Sequence, residues 1–120
     1  MEKEIADWLK QSENDLDTAK YNLRGKKFNA AAFFAQQAAE KALKALFIKK
    51  FKKIIKIHDL FILAKRVNAP EEIIELCKKL SPAYIYTRYP DVIYLENIEN
   101  KAGELIEYSA QIIKWVQKSI

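Results

Sequence analysis

The sequence predicts an all-α fold, an antiparallel bundle of about five helices, and three observations predict it. Half of the 120 residues are hydrophobic, while Gly and Pro number only 2 and 3, too few for a turn-rich β fold. Apolar residues recur at helical spacing along most of the chain. One stretch, residues 28–53, reads FNAAAFFAQQAAEKALKALFIKKFKK and contains no Gly, Pro or Ser, so its helix propensity is high throughout. A chain of this length is expected to form one domain over residues 1–120 with a modest core.

That stretch is the expected central helix. At about 100° per residue, Phe33, Gln36, Glu40, Leu43, Phe47 and Phe51 fall on one face, and Phe34, Ala38, Ala45 and Ile48 form a second apolar strip. A helix with two apolar sides is packed from several directions, and its alanines allow close approach. Gln36 and Glu40 interrupt the main stripe. Buried polar groups need partners, so these two belong either to a network or to a site.

The first helix is expected from Glu2 to Arg24, with Ile5, Trp8, Leu9, Leu16, Ala19 and Leu23 turned inward and Glu13 and Asp17 off the stripe. Glu2 and Glu4 near its start, and Lys20 and Arg24 near its end, complement the macrodipole. Gly25 is the expected stop, and the short turn makes helices one and two an antiparallel hairpin. A third helix is expected over His58–Val67, with Leu60, Ile62, Leu63 and Val67 for burial. The single histidine, His58, is expected near its cap in a structural role. The next helix opens at Ala69–Pro70–Glu71–Glu72, with Pro70 at the first helical position. Ile73, Ile74, Leu76, Cys77 and Leu80 face inward before Ser81–Pro82 interrupts, and a helical turn is expected to resume over Ala83–Thr87. Residues Thr87–Asn100 read as a long irregular loop, a class of segment often functional. The last helix is expected over Lys101–Lys118, capped by Asn100. Leu105, Ile106, Ile112, Ile113 and Val116 form its inner face, Tyr108 and Trp115 one edge, and Gly103 a place for a close crossing.

Composition narrows the function classes. The start, MEKEIADW, lacks an apolar signal region, and no apolar run approaches the ~18 residues of a membrane span. A cytoplasmic protein with no membrane partner is therefore expected. Cys77 is the only cysteine, so neither an internal disulfide nor a cysteine metal cluster is expected. No metal, cofactor-binding Gly loop or sequence-legible nucleophile–base pair stands out. The net charge of +5 permits an acidic or nucleic-acid partner without requiring one, and lysine richness equally suits a thermophile. Seven of the 21 basic residues, Lys41, Lys44, Lys49, Lys50, Lys52, Lys53 and Lys56, lie within 16 positions. A solvated, dipole-complementing helix end is the favoured explanation, with an electrostatic footprint for phosphates as the alternative.

The remaining chemistry-bearing cluster is Arg88, Tyr89, Asp91 and Tyr94 around Pro90. The arginine fork suits a phosphate, and tyrosines stack on bases. Against that stands a structural Arg paired with Asp91 or Glu96 beside two packing aromatics.

QQAAEKALKAL (Gln36 to Leu46), together with Trp8, Asp15 and Ala19, then His58–Asp59–Leu60, then Arg88–Tyr89–Pro90–Asp91, resembles the HEPN family of small prokaryotic helical domains. The resemblance implies a bundle with a four-helix core and a homodimer. It also implies a link to nucleotides or RNA, and for some relatives a toxin–antitoxin pairing with a minimal nucleotidyltransferase. Many of these proteins look like metal-independent endoribonucleases carrying an Arg and, a few residues on, a His. Arg88 matches the Arg, and Tyr94 stands at the His position. Tyrosine, with an ordinary pKa of about 10 against about 6.5 for histidine, is a poor base at neutral pH. The favoured expectation is thus a homodimeric nucleotide- or RNA-binding module acting with a separate nucleotidyltransferase, which in such pairs can modify the tyrosine at this place. Its ligand-binding candidates are Tyr89, Asp91, Gln36, Glu40, Lys41 and Lys44. The alternative is an endoribonuclease toxin with Arg88 and Tyr94 as catalytic residues and Gln36, Glu40 or Asp91 in support. An interaction scaffold with no ligand is the third.

Overall fold

The computed structural model describes residues 1–81 and 99–120 in full, and the backbone of Ile98. Among the described residues the chain is all-α, with five helices and no strand. They are α1 (Glu2–Arg24), α2 (Phe28–Phe51), α3 (Leu60–Arg66), α4 (Glu71–Leu80) and α5 (Ile98–Ser119). The expected helical turn over Ala83–Thr87 lies outside the described residues.

The central position of α2 follows from its alanines. Ala31, Ala32, Ala35, Ala38, Ala39, Ala42 and Ala45 are all fully buried, and α1, α3 and α5 all pack on this helix. Side chains this small let neighbouring backbones come close. The hydroxyl of Ser12 on α1 donates to the Ala38 carbonyl oxygen at 2.7 Å. That of Ser109 on α5 donates to the Ala35 carbonyl oxygen, also at 2.7 Å. Both serines are fully buried, and hydropathy alone did not single them out.

The expected α1–α2 hairpin is present and antiparallel. Ile5 and Trp8, near the start of α1, pack with Ala45 and Ile48 near the end of α2. The turn differs from expectation. Gly25 caps α1 with φ −83°, and the left-handed residue is Lys26, at φ 60°. At the other end α2 runs to Phe51, two residues short of the expected Lys53, and Lys52 beyond it is left-handed at φ 57°. Phe51 is exposed, its ring packed against that of Phe47 at 4.7 Å.

After α2 the chain runs back without regular structure over residues 54–59, held to the core by buried Ile55 and half-buried Ile57. Helix α3 begins at Leu60, capped by Asp59, whose carboxylate accepts the Ile62 amide at 3.1 Å. Asp59, not His58, is the capping residue. Leu60, Leu63, Ala64 and Val67 are buried, whereas Ile62 faces out. Pro70 is the N-cap of α4 and not its first helical residue, and Glu71 and Glu72 occupy the first turn. The inner face of α4 is as expected, with Ile73, Ile74, Cys77 and Leu80 buried and Leu76 half-buried.

Helix α5 starts at Ile98, so Asn100 lies within it and does not cap it. Its expected inner residues, Leu105, Ile106, Ile112, Ile113 and Val116, are all buried. Gly103 marks no close crossing, because a Cβ there would meet nothing within 4 Å. No helix among the described residues is long and apolar enough to cross a membrane.

Candidate functional site

Where the extended segment passes back along α2, four polar side chains converge. Gln36, Glu40 and Lys44 follow one another at four-residue intervals on α2, which stacks them on a single face. All three are buried. The Glu40 carboxylate collects their donors. Its Oε1 accepts from Gln36 Nε2 at 3.2 Å, and its Oε2 accepts from Lys44 Nζ at 2.9 Å. The same Oε2 lies 2.8 Å from His58 Nδ1. Gln36 Nε2 also reaches the His58 carbonyl oxygen at 3.5 Å, and Gln37 Nε2 donates to Gln36 Oε1 at 3.2 Å. The network therefore fastens both the backbone and the ring of His58 to the central helix.

The burial is uneven, and that unevenness matters chemically. The Glu40 side chain is 4% exposed, but the His58 side chain is 59% exposed. The His58 ring nitrogen nearest Glu40 is Nδ1, and it is the hydrogen on that nitrogen which a carboxylate oxygen, an acceptor when ionised, would receive. Lys44 is held from a second direction, its Nζ standing 5.5 Å from the centre of the Trp8 ring.

Lys41, one position from Glu40, points to a different face and pairs with Asp15 at 2.6 Å. Both side chains are largely buried, at 22% and 14% exposure, so Lys41 ties α2 to α1. Gln36, Glu40 and Lys44 thus come together, and Lys41 stands apart from them. Arg88, Tyr89, Asp91 and Tyr94 lie outside the described residues. His58, expected only as a structural residue near a cap, is the member that sequence reasoning missed. The signal present was Glu40 inside an apolar stripe, which required a partner without naming it.

The lysine cluster is different in kind. Lys52, Lys53 and Lys56 are exposed and Lys49 half-exposed. Among the described residues none of these four meets a carboxylate. Lys50 donates to the Val67 carbonyl oxygen. Exposed Phe51 and Ile54 sit among them. A groove of about 380 Å³ between α4 and α5, against Leu76 and Trp115, shares no residue with either cluster. Among the described residues no three His, Cys, Asp or Glu side chains are grouped to hold a metal ion.

Together these features define a small helical-bundle domain whose central helix carries a buried polar network opening onto one exposed imidazole. The chain belongs to the HEPN family: the HEPN domain model matches residues 5–119. Solved structures agree. TT1696 from Thermus thermophilus is 30% identical, with 97% of this chain and 98% of that chain covered and a TM-score of 0.86. An archaeal HEPN homologue, ST0689, is 33% identical over 96% of each chain, with a TM-score of 0.79. A HEPN domain protein of Thermotoga maritima shares the fold at 24% identity and a TM-score of 0.76, over 93% of this chain and 95% of that one. The comparison with curated proteins gives no match.

Proposed function

We propose that this HEPN-domain protein is a homodimeric module that binds a nucleotide or RNA and works with a separately encoded minimal nucleotidyltransferase. The observation that carries this reading is the rim formed by Lys49, Lys52, Lys53 and Lys56, whose charges no carboxylate among the described residues neutralises. Lys52, Lys53 and Lys56 follow α2 in the chain, next in sequence to exposed Phe51, an aromatic on which a base could stack. Arg88, by resemblance the phosphate-holding residue, would complete the ligand contacts, with Tyr89 and Asp91 beside it and Tyr94 as the residue a partner could modify.

The test is fluorescence anisotropy with labelled single-stranded RNA and with nucleotides, across a salt series, for the wild type, Lys52→Glu/Lys53→Glu and Arg88→Ala. Each lost phosphate contact should flatten the log–log salt dependence by about 0.7, and the double charge reversal should weaken binding at least tenfold. Affinity that ignores both variants sinks the reading. Light scattering on the same samples checks the dimer, and co-expression with a neighbouring nucleotidyltransferase gene checks the partner.

A second reading, an endoribonuclease toxin using Arg88 and Tyr94, is favoured by one observation. Gln36 and Glu40 are gathered around an exposed imidazole rather than scattered through a core. RNA cleavage in EDTA that disappears in Arg88→Ala and in Tyr94→Phe supports it.

A further inference from the structure

We infer that the groove between α4 and α5 is where a second copy of this chain docks, with Glu72 of each subunit facing Lys114 and Lys118 of the partner subunit across a twofold axis. The inference rests on the homodimer reading and assigns the face, which that reading leaves open.

The groove has an apolar floor and a rim of two charges. It encloses about 380 Å³. Leu76 of α4 and Trp115 of α5 line it, both half-buried and packed on the core. Glu72 stands on the α4 side, and Lys114 and Lys118 stand a turn apart on the α5 side, all three exposed. An apolar centre inside a polar rim is the anatomy of a protein interface, and tryptophan is enriched among the residues that carry binding energy there.

The two walls carry opposite charges that do not meet. Among the described residues no ion pair joins Glu72 to either lysine or to any other cation, and Lys114 and Lys118 meet no carboxylate. Elsewhere on the surface such pairs do form, Lys3 with Asp7 and Lys78 with Glu75. Helix dipoles account for the signs of Glu72, in the first turn of α4, and Lys118, in the last turn of α5. They do not account for Lys114, a turn earlier, or for an indole and a leucine left half-covered between the walls.

The sign pattern is self-complementary. In a twofold interface residue i meets residue j, and j meets i. Half a turn about an axis along the groove sets the α4 wall of one copy across from the α5 wall of the other. Glu72 then faces Lys114 and Lys118 of the partner subunit, the same contact repeats on the other side of the axis, and the two apolar floors close on each other. A uniformly acidic or uniformly basic partner would satisfy one wall and be repelled by the other, which favours a copy of this chain over a different protein.

The groove shares no residue with the lysine rim or the Glu40 network, so its charges can be reversed without touching either. The test is light scattering coupled to size-exclusion chromatography over a concentration and salt series. The samples are wild type, Glu72→Lys, Lys114→Glu/Lys118→Glu, and an equimolar mixture of the two variants, with circular dichroism to confirm folding. Wild type should run at twice the 14.0 kDa chain mass. Each variant alone sets like charges against one another, and its dimer should be weaker by about tenfold or more. In the mixture the reversed glutamate faces the reversed lysines and the native set is kept on the other side, so a mixed dimer should form where neither variant pairs with itself. A role confined to the fold of one chain gives no such rescue. In Trp8→Phe, Trp115 is the only tryptophan left, and its quenching by acrylamide should fall as concentration carries the protein into the dimer. Wild type that stays monomeric overturns both the inference and the homodimer, and leaves the groove to a different protein. A dimer indifferent to the charge reversals, or a Trp115 equally quenched in monomer and dimer, overturns the inference while the homodimer stands. Variants that dissociate but do not pair when mixed overturn the twofold arrangement.

Discussion

The Ser12 hydroxyl donates a 2.7 Å hydrogen bond to the Ala38 carbonyl oxygen, and it does so in a part of the bundle with no exposure to water. Ser109 makes the same bond to Ala35, one turn earlier on α2. Two helices are thereby pinned to one turn of the central helix, from different elements.

Ser12→Ala should lower unfolding stability by about 1 kcal/mol, the usual net worth of such a bond. Ser12→Val should lower it further, by about 1–3 kcal/mol through overpacking, because Ala38 leaves no room to relax. Urea unfolding of the two variants checks the order. Equal stability of valine and alanine variants would mean that the α1–α2 contact is looser than the geometry indicates.

The buried charges of α2 should behave as one unit. Lys44→Met removes a cation from a carboxylate that stays buried, and breaking such pairs costs about 3–5 kcal/mol. Glu40→Gln leaves Lys44 without its carboxylate, with a loss of similar order. The double variant, Glu40→Gln with Lys44→Met, should be destabilised by clearly less than the sum of the singles, because residues of one network couple. Additive losses in denaturant titrations would disprove the coupling.

Cys77 supplies a pH prediction. Burial, and next the negative charge of Asp59, push its thiol up from 9.0 to about 12. Its folded-state value is therefore above its unfolded value, and the folded protein holds a proton that the unfolded chain releases. The associated stability is fully present below pH 9 and is lost as the pH rises from there toward about 12, with a slope of at most about 1.4 kcal/mol per pH unit. Cys77→Ala should show a shallower alkaline fall than the wild type in thermal melts between pH 9 and 11. The native thiol should also resist Ellman's reagent until the protein unfolds. Rapid labelling of folded protein would contradict the burial.

The turn after α1 gives a local prediction with a definite sign. Lys26 is left-handed at φ 60° while Gly25 is not. A left-handed non-glycine residue is strained by roughly 1–2 kcal/mol, part of which glycine returns as chain entropy. Lys26→Gly should thus raise stability by up to about 1 kcal/mol. Gly25→Ala should change it little, since the nearest atoms to its Cβ would be at 3.6 and 3.8 Å, ordinary contact distances. A destabilised Lys26→Gly variant in thermal melts would refute the turn geometry.

The helices were legible because periodicity and propensity act locally. The inner faces of α4 and α5 follow from their apolar spacing alone. Turn chemistry was less legible. The glycine at 25 and the asparagine at 100 have the right types for a stop and a cap, yet the neighbouring residue takes the special conformation in one case and the helix simply extends in the other. Ile62 and Phe51 keep the helical rhythm yet remain exposed, and rhythm does not reveal that. The Glu40–His58 contact was out of reach for another reason. It joins residues 18 apart across a segment with no period, and its register depends on how Ile55 and Ile57 seat in the core.

The alanine face of α2 has a consequence for how this fold can change. Seven of the side chains nearest the centre are already as short as a side chain with a Cβ can be. Truncation, the common route by which cores are weakened, has almost nothing to remove there. Growth by even one methyl group, in contrast, would push α1 or α5 outward and stretch the serine bonds. The middle of the molecule is therefore governed by an upper limit on volume, and its history of tolerated substitutions should be one-sided.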